Sequence, residues 1–387
     1  YGEELIMKLL YILNVANKVN NFSKASMMAA KQTGLEFYIA GNWKYKSDEE
    51  RKADEVKYGI KIYQVDFYRN PLNLKNIKAY HQIVEIIKNE KIDIIHCNTP
   101  IGGVVGRIAG LKCKVKKVIY QAHGFHFYSG APKINWFIYY PMERWLAHYT
   151  DVLITINHED YTLAQKLRLR KGGKAYYIPG VGIDTNRFMS STSIRNFRES
   201  ICKELNIPDT AKIILSVGEL NENKNHLSVI HALQKIPLHT DIYYIIAGVG
   251  EMRETLQNIA NELGLHQRVF LLGYRSDIPK LLAAANIYIL PSLREGLNAS
   301  LMEAMASGLP CIVGNIRGNV DLIEDGKGGF LINPKDEEEI AGAINRLADN
   351  KLLCESMGAH NLDKIKDFDL SVVINQINNV YHEIVSK

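Results

Sequence analysis

Short runs of consecutive apolar residues alternate with helical patterns along most of the chain, in two successive series. In the first half the strand-like runs are residues 9–15, 36–40, 60–66, 92–98, 117–122 and 152–157. The second series comprises residues 213–218, 242–248, 269–273, 287–291 and 311–314. Strands that are apolar on both faces and separated by helices are typical of parallel sheets covered on both sides. The pattern predicts an α/β protein with two Rossmann-like domains.

The alternation is interrupted once, at the glycine- and proline-containing segment 179–182 and the polar stretch that follows it. With 387 residues the chain is too long for one ordinary core. We expect a first domain over residues 7–190, a linker over 191–210 and a second domain over 211–369. Residues 1–6, ahead of Met7, are expected to be an added segment. Open α/β sheets bind ligands at the carboxyl ends of their strands, so a crevice between the domains is the predicted binding site.

The charge of the chain is unevenly distributed. Residues 1–190 contain 28 Lys and Arg against 17 Asp and Glu, whereas residues 191–387 contain 19 against 25. A basic first domain indicates an anionic partner, either a membrane surface or nucleic acid. No nucleic-acid motif accompanies the basic residues and the second half is acidic, so nucleic acid is not expected.

Three further features indicate a cytoplasmic protein. No apolar run reaches the roughly eighteen residues that a spanning helix needs. No secretory signal is visible. The five cysteines are scattered and form no CxxC pair, which is typical of reduced thiols and gives no structural zinc site.

Two carboxylates eight positions apart, Glu295 and Glu303, lie in the stretch EGLNASLMEAMASGLP. After Gly296 the chain is predicted to turn into a helix, with backbone amides available at Leu297, Asn298, Ala299 and Ser300. Such a helix N-terminus binds anions, phosphate groups among them. Glu295 would accept hydrogen bonds from ligand hydroxyls, and Glu303 from a ribose, as acidic residues do in dinucleotide folds. At this spacing alone, two ordinary surface charges are the competing interpretation.

Two other strand ends carry candidate site residues. Gly218 ends a strand, and Lys224 opens the helix that follows. His123 follows another strand in QAHGFHF, which places an imidazole at the mouth of the crevice. An exposed lysine and a core or capping histidine are the structural alternatives. The role of His126 is less defined, because aromatic packing explains its neighbours equally well.

Taken together, these motifs resemble the donor-site signature of retaining glycosyltransferases of family 4, and the resemblance covers essentially the whole chain from Met7. The first half is similar to capsule and exopolysaccharide members through HGFHFYSGAP and YYIPGVGID. The resemblance implies that Lys224 binds the donor diphosphate and that His123 lies near the anomeric carbon. It also implies that the segment around Arg275 contacts the base. The implied architecture is GT-B, two Rossmann-like domains facing across a cleft, with a C-terminal helix (about 370–387) crossing back to the first domain.

The reaction implied by the resemblance is transfer of a hexose or N-acetylhexosamine with retention of configuration, catalysed with His123, Glu295 and Lys224. The donor is a nucleotide sugar, with UDP as the family-level expectation, and the acceptor is a polyprenyl-diphosphate-linked glycan. No cofactor and no metal are expected, because a lysine and a helix dipole replace Mg²⁺. The Asp-x-Asp at 367–369 precedes the last helix and is interpreted as a helix cap.

The chain departs from the family pattern at two places. Glu219 stands where an arginine usually follows the glycine, and a glutamate there would repel phosphate. Either Glu219 points away from the site, or Arg275 or Arg294 supplies the missing charge. The first strand–helix loop carries Asn17 and Lys18 on the acceptor side, in place of paired glycines. A nucleotide-sugar epimerase and a non-catalytic nucleotide-sugar-binding protein therefore stay open as alternatives. A dehydrogenase is not expected, because no G-x-G-x-x-G occurs at either first turn.

One helical pattern in the basic half, residues 134–148, is crowded with aromatic side chains: Trp136, Phe137, Tyr139, Tyr140 and Trp145. Aromatic residues beside lysines and arginines suit a protein that lies on an anionic bilayer. This indicates peripheral association with the inner face of the plasma membrane, although part of the helix is also a candidate for core packing.

Overall fold

The computed structural model describes residues 6–16, 19, 21–68, 73–188, 194–237 and 241–386, with the side chains of 21, 22 and 194–196 left aside. The chain forms two compact units. Unit 1 comprises Tyr1–Gly182 with Leu370–Lys387, and unit 2 comprises Ile183–Asp369. Each is a parallel sheet with helices on both faces, which confirms the predicted α/β class.

Unit 1 has, within the described residues, a seven-stranded sheet in the order β3-β2-β1-β4-β5-β6-β7. The strands are β1 (Lys8–Val15), β2 (Glu36–Asn42), β3 (Lys61–Gln64), β4 (Ile94–Asn98), β5 (Lys117–Ala122), β6 (Val152–Thr155) and β7 (Lys174–Tyr177). The connecting helices are α1 (Asn21–Gln32), α2 (Asp48–Tyr58), α3 (Asn76–Glu90), α4 (Pro100–Cys113), α5 (Lys133–Ala147) and α6 (His158–Ala164). The β1, β4 and β5 strands are buried over most of their length, as expected for central strands of a covered sheet.

Unit 2 has a six-stranded sheet among the described residues, in the order β10-β9-β8-β11-β12-β13. Its strands are β8 (Lys212–Val217), β9 (Ile242–Ala247), β10 (Val269–Gly273), β11 (Ile287–Leu290), β12 (Cys311–Gly314) and β13 (Gly329–Ile332). Its helices are α7 (Ile194–Leu205), α8 (His226–Gln234), α9 (Arg253–Glu262), α10 (Ile278–Ala284), α11 (Ala299–Ala306), α12 (Asn319–Leu322), α13 (Glu337–Ala348) and α14 (Lys351–Lys364).

The last helix, α15 (Leu370–Val385), belongs to unit 1, which confirms that the chain returns to its first half. Its apolar face joins the core beneath β1 through Val373, Ile377 and Tyr381. On the polar side Glu383 accepts hydrogen bonds from Lys174 and Tyr176, so α15 is also held to β7.

The stretch predicted as a linker is partly helical and packs on unit 2. Within 191–210, α7 buries Ile201 and Cys202 in the core of unit 2. Arg198 extends the attachment, because its guanidinium donates to the carbonyl oxygens of Ala284 and Asp209. Sequence reasoning gave weight to the polar residues here and overlooked the apolar ones at helical spacing.

In both sheets the strand order reverses beside the first strand of the unit: between β1 and β4 in unit 1, and between β8 and β11 in unit 2. At such a point the loops on the two sides diverge and leave room for a ligand at the carboxyl ends of the strands. In the part of the chain that the structure describes, no helix combines the length and apolar character needed to cross a bilayer.

Candidate active site

The loop between β8 and α8 is a rigid support for Lys224. Asn221 accepts a hydrogen bond from the Lys224 amide (3.0 Å) and caps a 3₁₀ turn, Glu222–Lys224. Asn225 adopts a left-handed conformation at φ 57°. Its side-chain amide donates to the carbonyl oxygens of Pro291 (3.1 Å) and Pro334 (2.6 Å), which fixes the loop against the ends of β11 and β13.

Two predicted site residues meet at this reversal point. The Nζ of Lys224 lies 2.6 Å from Oε1 of Glu295, although 71 positions separate them. Their side chains are only 19% and 12% exposed. The lysine stem passes over Gly218, where an added Cβ would lie 3.6 Å from its carbons. A carboxylate and an ammonium held this closely at the carboxyl ends of β8 and β11 can exchange each other for the hydroxyls and phosphates of a ligand.

The start of α11 is partly occupied by its own cap. Asn298 Oδ1 accepts from the amides of Ser300 (3.0 Å) and Leu301 (3.3 Å), and Asn298 Nδ2 donates to Glu295 (3.2 Å). The Ser300 amide is therefore not available to a ligand, contrary to the sequence-based expectation. Within the described residues, the amides of Leu297 and Ala299 donate no hydrogen bond. Of the amides predicted to face a ligand, those of Leu297 and Ala299 are therefore the ones left available.

Arg317 and Gly318, which sequence reasoning missed, hold the loop of Glu295 and Gly296. Arg317 Nε donates to the Glu295 carbonyl oxygen (3.3 Å). Gly318 packs directly against the backbone of Gly296, because an added Cβ would lie 2.2 Å from the Gly296 carbonyl oxygen. Its φ of +83° also favours glycine at this position. An arginine and a glycine just after a buried strand, β12, were the signal that was available in the sequence.

Glu303 lies on α11, partly buried, and burial raises the pKa of its carboxyl group, while Arg187 acts in the opposite direction. Its backbone carbonyl oxygen accepts a hydrogen bond from Ser307 (2.9 Å). Among the described residues its carboxylate forms no hydrogen bond or ion pair, so the carboxylate oxygens are available for hydroxyl groups.

Arg275 is engaged by carboxylates: its guanidinium donates to Asp277 (2.7 and 2.8 Å) and to Glu204 (3.2 Å). These carboxylates raise the pKa of Arg275. Its charge is therefore already neutralised locally. Arg294 is exposed at the surface, and the side chain of Glu219 is exposed as well.

A buried polar network supports the β8–α8 loop from below. His226 Nδ1 lies 3.0 Å from the Tyr244 hydroxyl, which in turn lies 2.8 Å from Ser216 Oγ. The other ring nitrogen contacts the carbonyl oxygen of Glu219 (3.3 Å). Burial lowers the pKa of His226 to about 4, so this imidazole is neutral at physiological pH. No motif signalled this role.

In unit 1, His123 follows β5 beside the end of β4. Its Nε2 lies 3.1 Å from Asn98 Oδ1, which also accepts from the Tyr11 hydroxyl (3.1 Å). Because the oxygen of Asn98 is an acceptor, Nε2 of His123 carries the proton. Burial lowers the pKa of His123 to about 4, which keeps the ring neutral.

His126 packs beside Tyr139, with ring centroids 4.7 Å apart. Its carbonyl oxygen accepts from Asn135 (3.0 Å), so the residue anchors the start of α5. Asn17 and Lys18 lie outside the described residues.

Two family models match the chain. "Glycosyl transferases group 1" matches residues 197–362, and "Glycosyl transferase 4-like" matches residues 26–157. A Bacillus subtilis protein named as glycosyltransferase EpsD is 34% identical over 97% of this chain and 96% of its own length.

An Escherichia coli UDP-Gal:alpha-D-GlcNAc-diphosphoundecaprenol alpha-1,3-galactosyltransferase is 33% identical, over 80% of this chain and 83% of its own length. Among solved structures, Anabaena HepE in complex with UDP and glucose matches with a TM-score of 0.78 and 20% identity. The match covers 97% of this chain and 100% of that one, and at this identity it shows the shared fold.

Proposed function

The chain belongs to the GT-B glycosyltransferases of the family 4 type, and on that premise we propose that it moves a hexose or N-acetylhexosamine from a UDP-sugar to a polyprenyl-diphosphate-linked glycan. That it is a glycosyltransferase using a nucleotide sugar follows from its relatives. The finer proposal is retention of configuration without a metal ion, in the synthesis of a capsule, exopolysaccharide or related surface polysaccharide.

The observation that carries the proposal is the Lys224–Glu295 pair at the strand-order reversal of unit 2. Lys224 and the amides of Leu297 and Ala299 provide positive potential for a departing diphosphate. Once phosphate takes the ammonium as its partner, Glu295 is released to accept hydrogen bonds from sugar hydroxyls. Glu303 accepts from the ribose hydroxyls. Lysine and helix amides together take the role that Mg²⁺ has in other transferases.

Donor and acceptor identities draw support from the Escherichia coli relative, whose name gives UDP-galactose as donor and a GlcNAc-diphosphoundecaprenol as acceptor. The retaining reaction and the polysaccharide role are inferred from the sequence motifs. Same-face attack, in which the departing diphosphate takes the acceptor proton, fits a site without an assigned carboxylate nucleophile. His123, neutral and held by Asn98, would act as a hydrogen-bonding group beside the reacting carbon rather than as a cation.

The test is a transfer assay with a panel of UDP-sugars, GlcNAc-diphosphoundecaprenol and EDTA, with products analysed by mass spectrometry and NMR. We expect transfer from one UDP-sugar of the panel. Because that donor has the α configuration, retention predicts an α-linked product. Turnover of UDP-sugar without acceptor would identify an epimerase instead. Binding of a UDP-sugar with neither transfer nor hydrolysis would identify a non-catalytic binding protein.

A further inference from the structure

Helix α5 of unit 1 exposes an apolar face to solvent. Ile134, Phe137, Ile138 and Trp145 are 58%, 79%, 52% and 50% exposed. They recur at spacings of three, four and eleven residues from Ile134, with exposed Pro141 between them, so they lie on one side of the helix. Single exposed apolar residues are common, but a continuous stripe with two aromatic rings indicates a binding surface.

The opposite side of α5 already anchors the helix. Trp136, Tyr139 and Tyr140 pack against the core of unit 1. Glu143 forms a buried ion pair with Arg107 of α4. The inner side of α5 therefore makes the contacts that hold the helix to unit 1. The outer apolar stripe is exposed and is not needed for these contacts.

The charge beside the stripe is positive. Lys133 and Arg144 lie along one edge of it, both exposed. Within the part of the chain that the structure describes, neither forms an ion pair with a carboxylate. The acidic residue of α5, Glu143, is buried and already forms an ion pair with Arg107. An apolar face with a cationic edge is complementary to the acyl chains and anionic headgroups of a bilayer.

We propose that the outer face of α5 inserts shallowly into an anionic bilayer, with Phe137 and Trp145 as its anchors. A second copy of the chain is a poorer occupant, because two cationic edges would face each other across the interface. The inference rests on the proposed function in one respect: an acceptor carried by a polyprenyl chain is presented at the membrane surface.

The first test is co-sedimentation with vesicles of phosphatidylcholine containing phosphatidylglycerol, with pure phosphatidylcholine vesicles for comparison. Phe137→Ser and Trp145→Ser are each expected to lower the apparent affinity about tenfold, because an apolar anchor is lost. The matched control is Val56→Ser, which removes an 86% exposed apolar residue from α2 of the same unit. Added salt should weaken wild-type binding by screening Lys133 and Arg144.

The second test locates the contact. The chain has three tryptophans. Trp43 is fully buried and Trp136 is packed inward, so Trp145 alone is expected to be quenched by brominated lipid. Trp145→Phe should retain vesicle binding and abolish the quenching.

Vesicle affinity of Phe137→Ser equal to that of wild type, or quenching that persists in Trp145→Phe, would overturn the inference. So would a Phe137→Ser variant that changes the molar mass in light scattering but not vesicle binding, since the partner would then be a second copy. Transfer to a short-chain soluble acceptor is measured in parallel. Its absence in wild type refutes the proposed function while leaving the docking surface intact.

Discussion

At the scale of single residues, Lys224 and Glu295 neutralise one another when no ligand is bound. Both side chains are largely shielded from solvent, so neither charge is left uncompensated in a partly buried site. A diphosphate offers the ammonium more negative charge than one carboxylate does. In the proposed mechanism, ligand binding therefore exchanges partners within a site that the Asn225 and Asn298 side chains have already fixed.

Glu303→Gln should weaken UDP binding about tenfold, because an amide accepts hydrogen bonds from two ribose hydroxyls less well than a carboxylate. Burial raises the pKa of Glu303, so in wild type the affinity should fall as pH decreases and the carboxylate becomes protonated. The variant should lack this part of the pH dependence. Calorimetry at about pH 8 and about pH 5.5 measures both effects, with exposed Glu254→Gln as control. Equal affinities of wild type and Glu303→Gln would remove Glu303 from the site.

Lys224, Glu295 and Glu303 could be predicted as site residues from the sequence, because each follows or lies near a strand end in a recognisable motif. It could not show that Asn298 would take the Ser300 amide, or that Asp277 and Glu204 would engage Arg275. Such side-chain choices depend on geometry between segments distant in the chain.

At the scale of elements, α4 shows why pattern reasoning overlooks some helices. Its glycines disfavour a helix by propensity. The fold needs them, because a Cβ at Gly103 would lie 2.3 Å from the Tyr120 ring and one at Gly106 2.7 Å from Cys97. Close helix–sheet packing therefore overrides local preference. Helix α15 has regular apolar spacing and no glycine, and its predicted extent of about residues 370–387 agrees closely with the observed Leu370–Val385.

The packing of α15 predicts a large effect of truncating its buried face. Ile377→Ala should lower the free energy of unfolding by about 2–5 kcal/mol, because it leaves a cavity beneath β1. Val385→Ala, at a 37% exposed position of the same helix, should change it by less than about 1 kcal/mol. The three tryptophans all lie in unit 1, so their fluorescence during urea unfolding follows this unit. A similar urea midpoint for Ile377→Ala and wild type would show that α15 is not part of the core.

At the scale of the whole molecule, neutral histidines lie near both strand-order reversals: buried His96 and partly buried His123 in unit 1, and buried His226 in unit 2. Burial lowers the pKa of His96 to about 3, and of His123 and His226 to about 4. The division into a basic and an acidic half could be counted from the sequence. The surroundings of these rings could not be predicted, because they depend on residues distant in the chain. His96, for example, contacts Tyr381 of α15, and His226 contacts Tyr244 of β9.

These histidines make the protein sensitive to acid. Between about pH 6.5 and pH 4 the unfolded chain binds protons that the folded chain excludes, so stability falls as pH decreases. Each ring contributes at most on the order of 1 kcal/mol per pH unit within that range. His96→Gln should reduce the slope of stability against pH, whereas exposed His266→Gln should not. Scanning calorimetry at several pH values measures the slopes, and a slope unchanged by His96→Gln would contradict the assignment.

The central claim is that unit 2 binds the diphosphate of a nucleotide sugar through Lys224 without a metal ion. Calorimetric titration of UDP in the presence of EDTA tests it directly. Lys224→Ala is the test variant, and Lys235→Ala, just after the other end of α8, is the control. We expect wild type and Lys235→Ala to bind UDP alike and Lys224→Ala to lose at least tenfold in affinity. Binding that requires added Mg²⁺, or that Lys224→Ala leaves unchanged, would contradict the account.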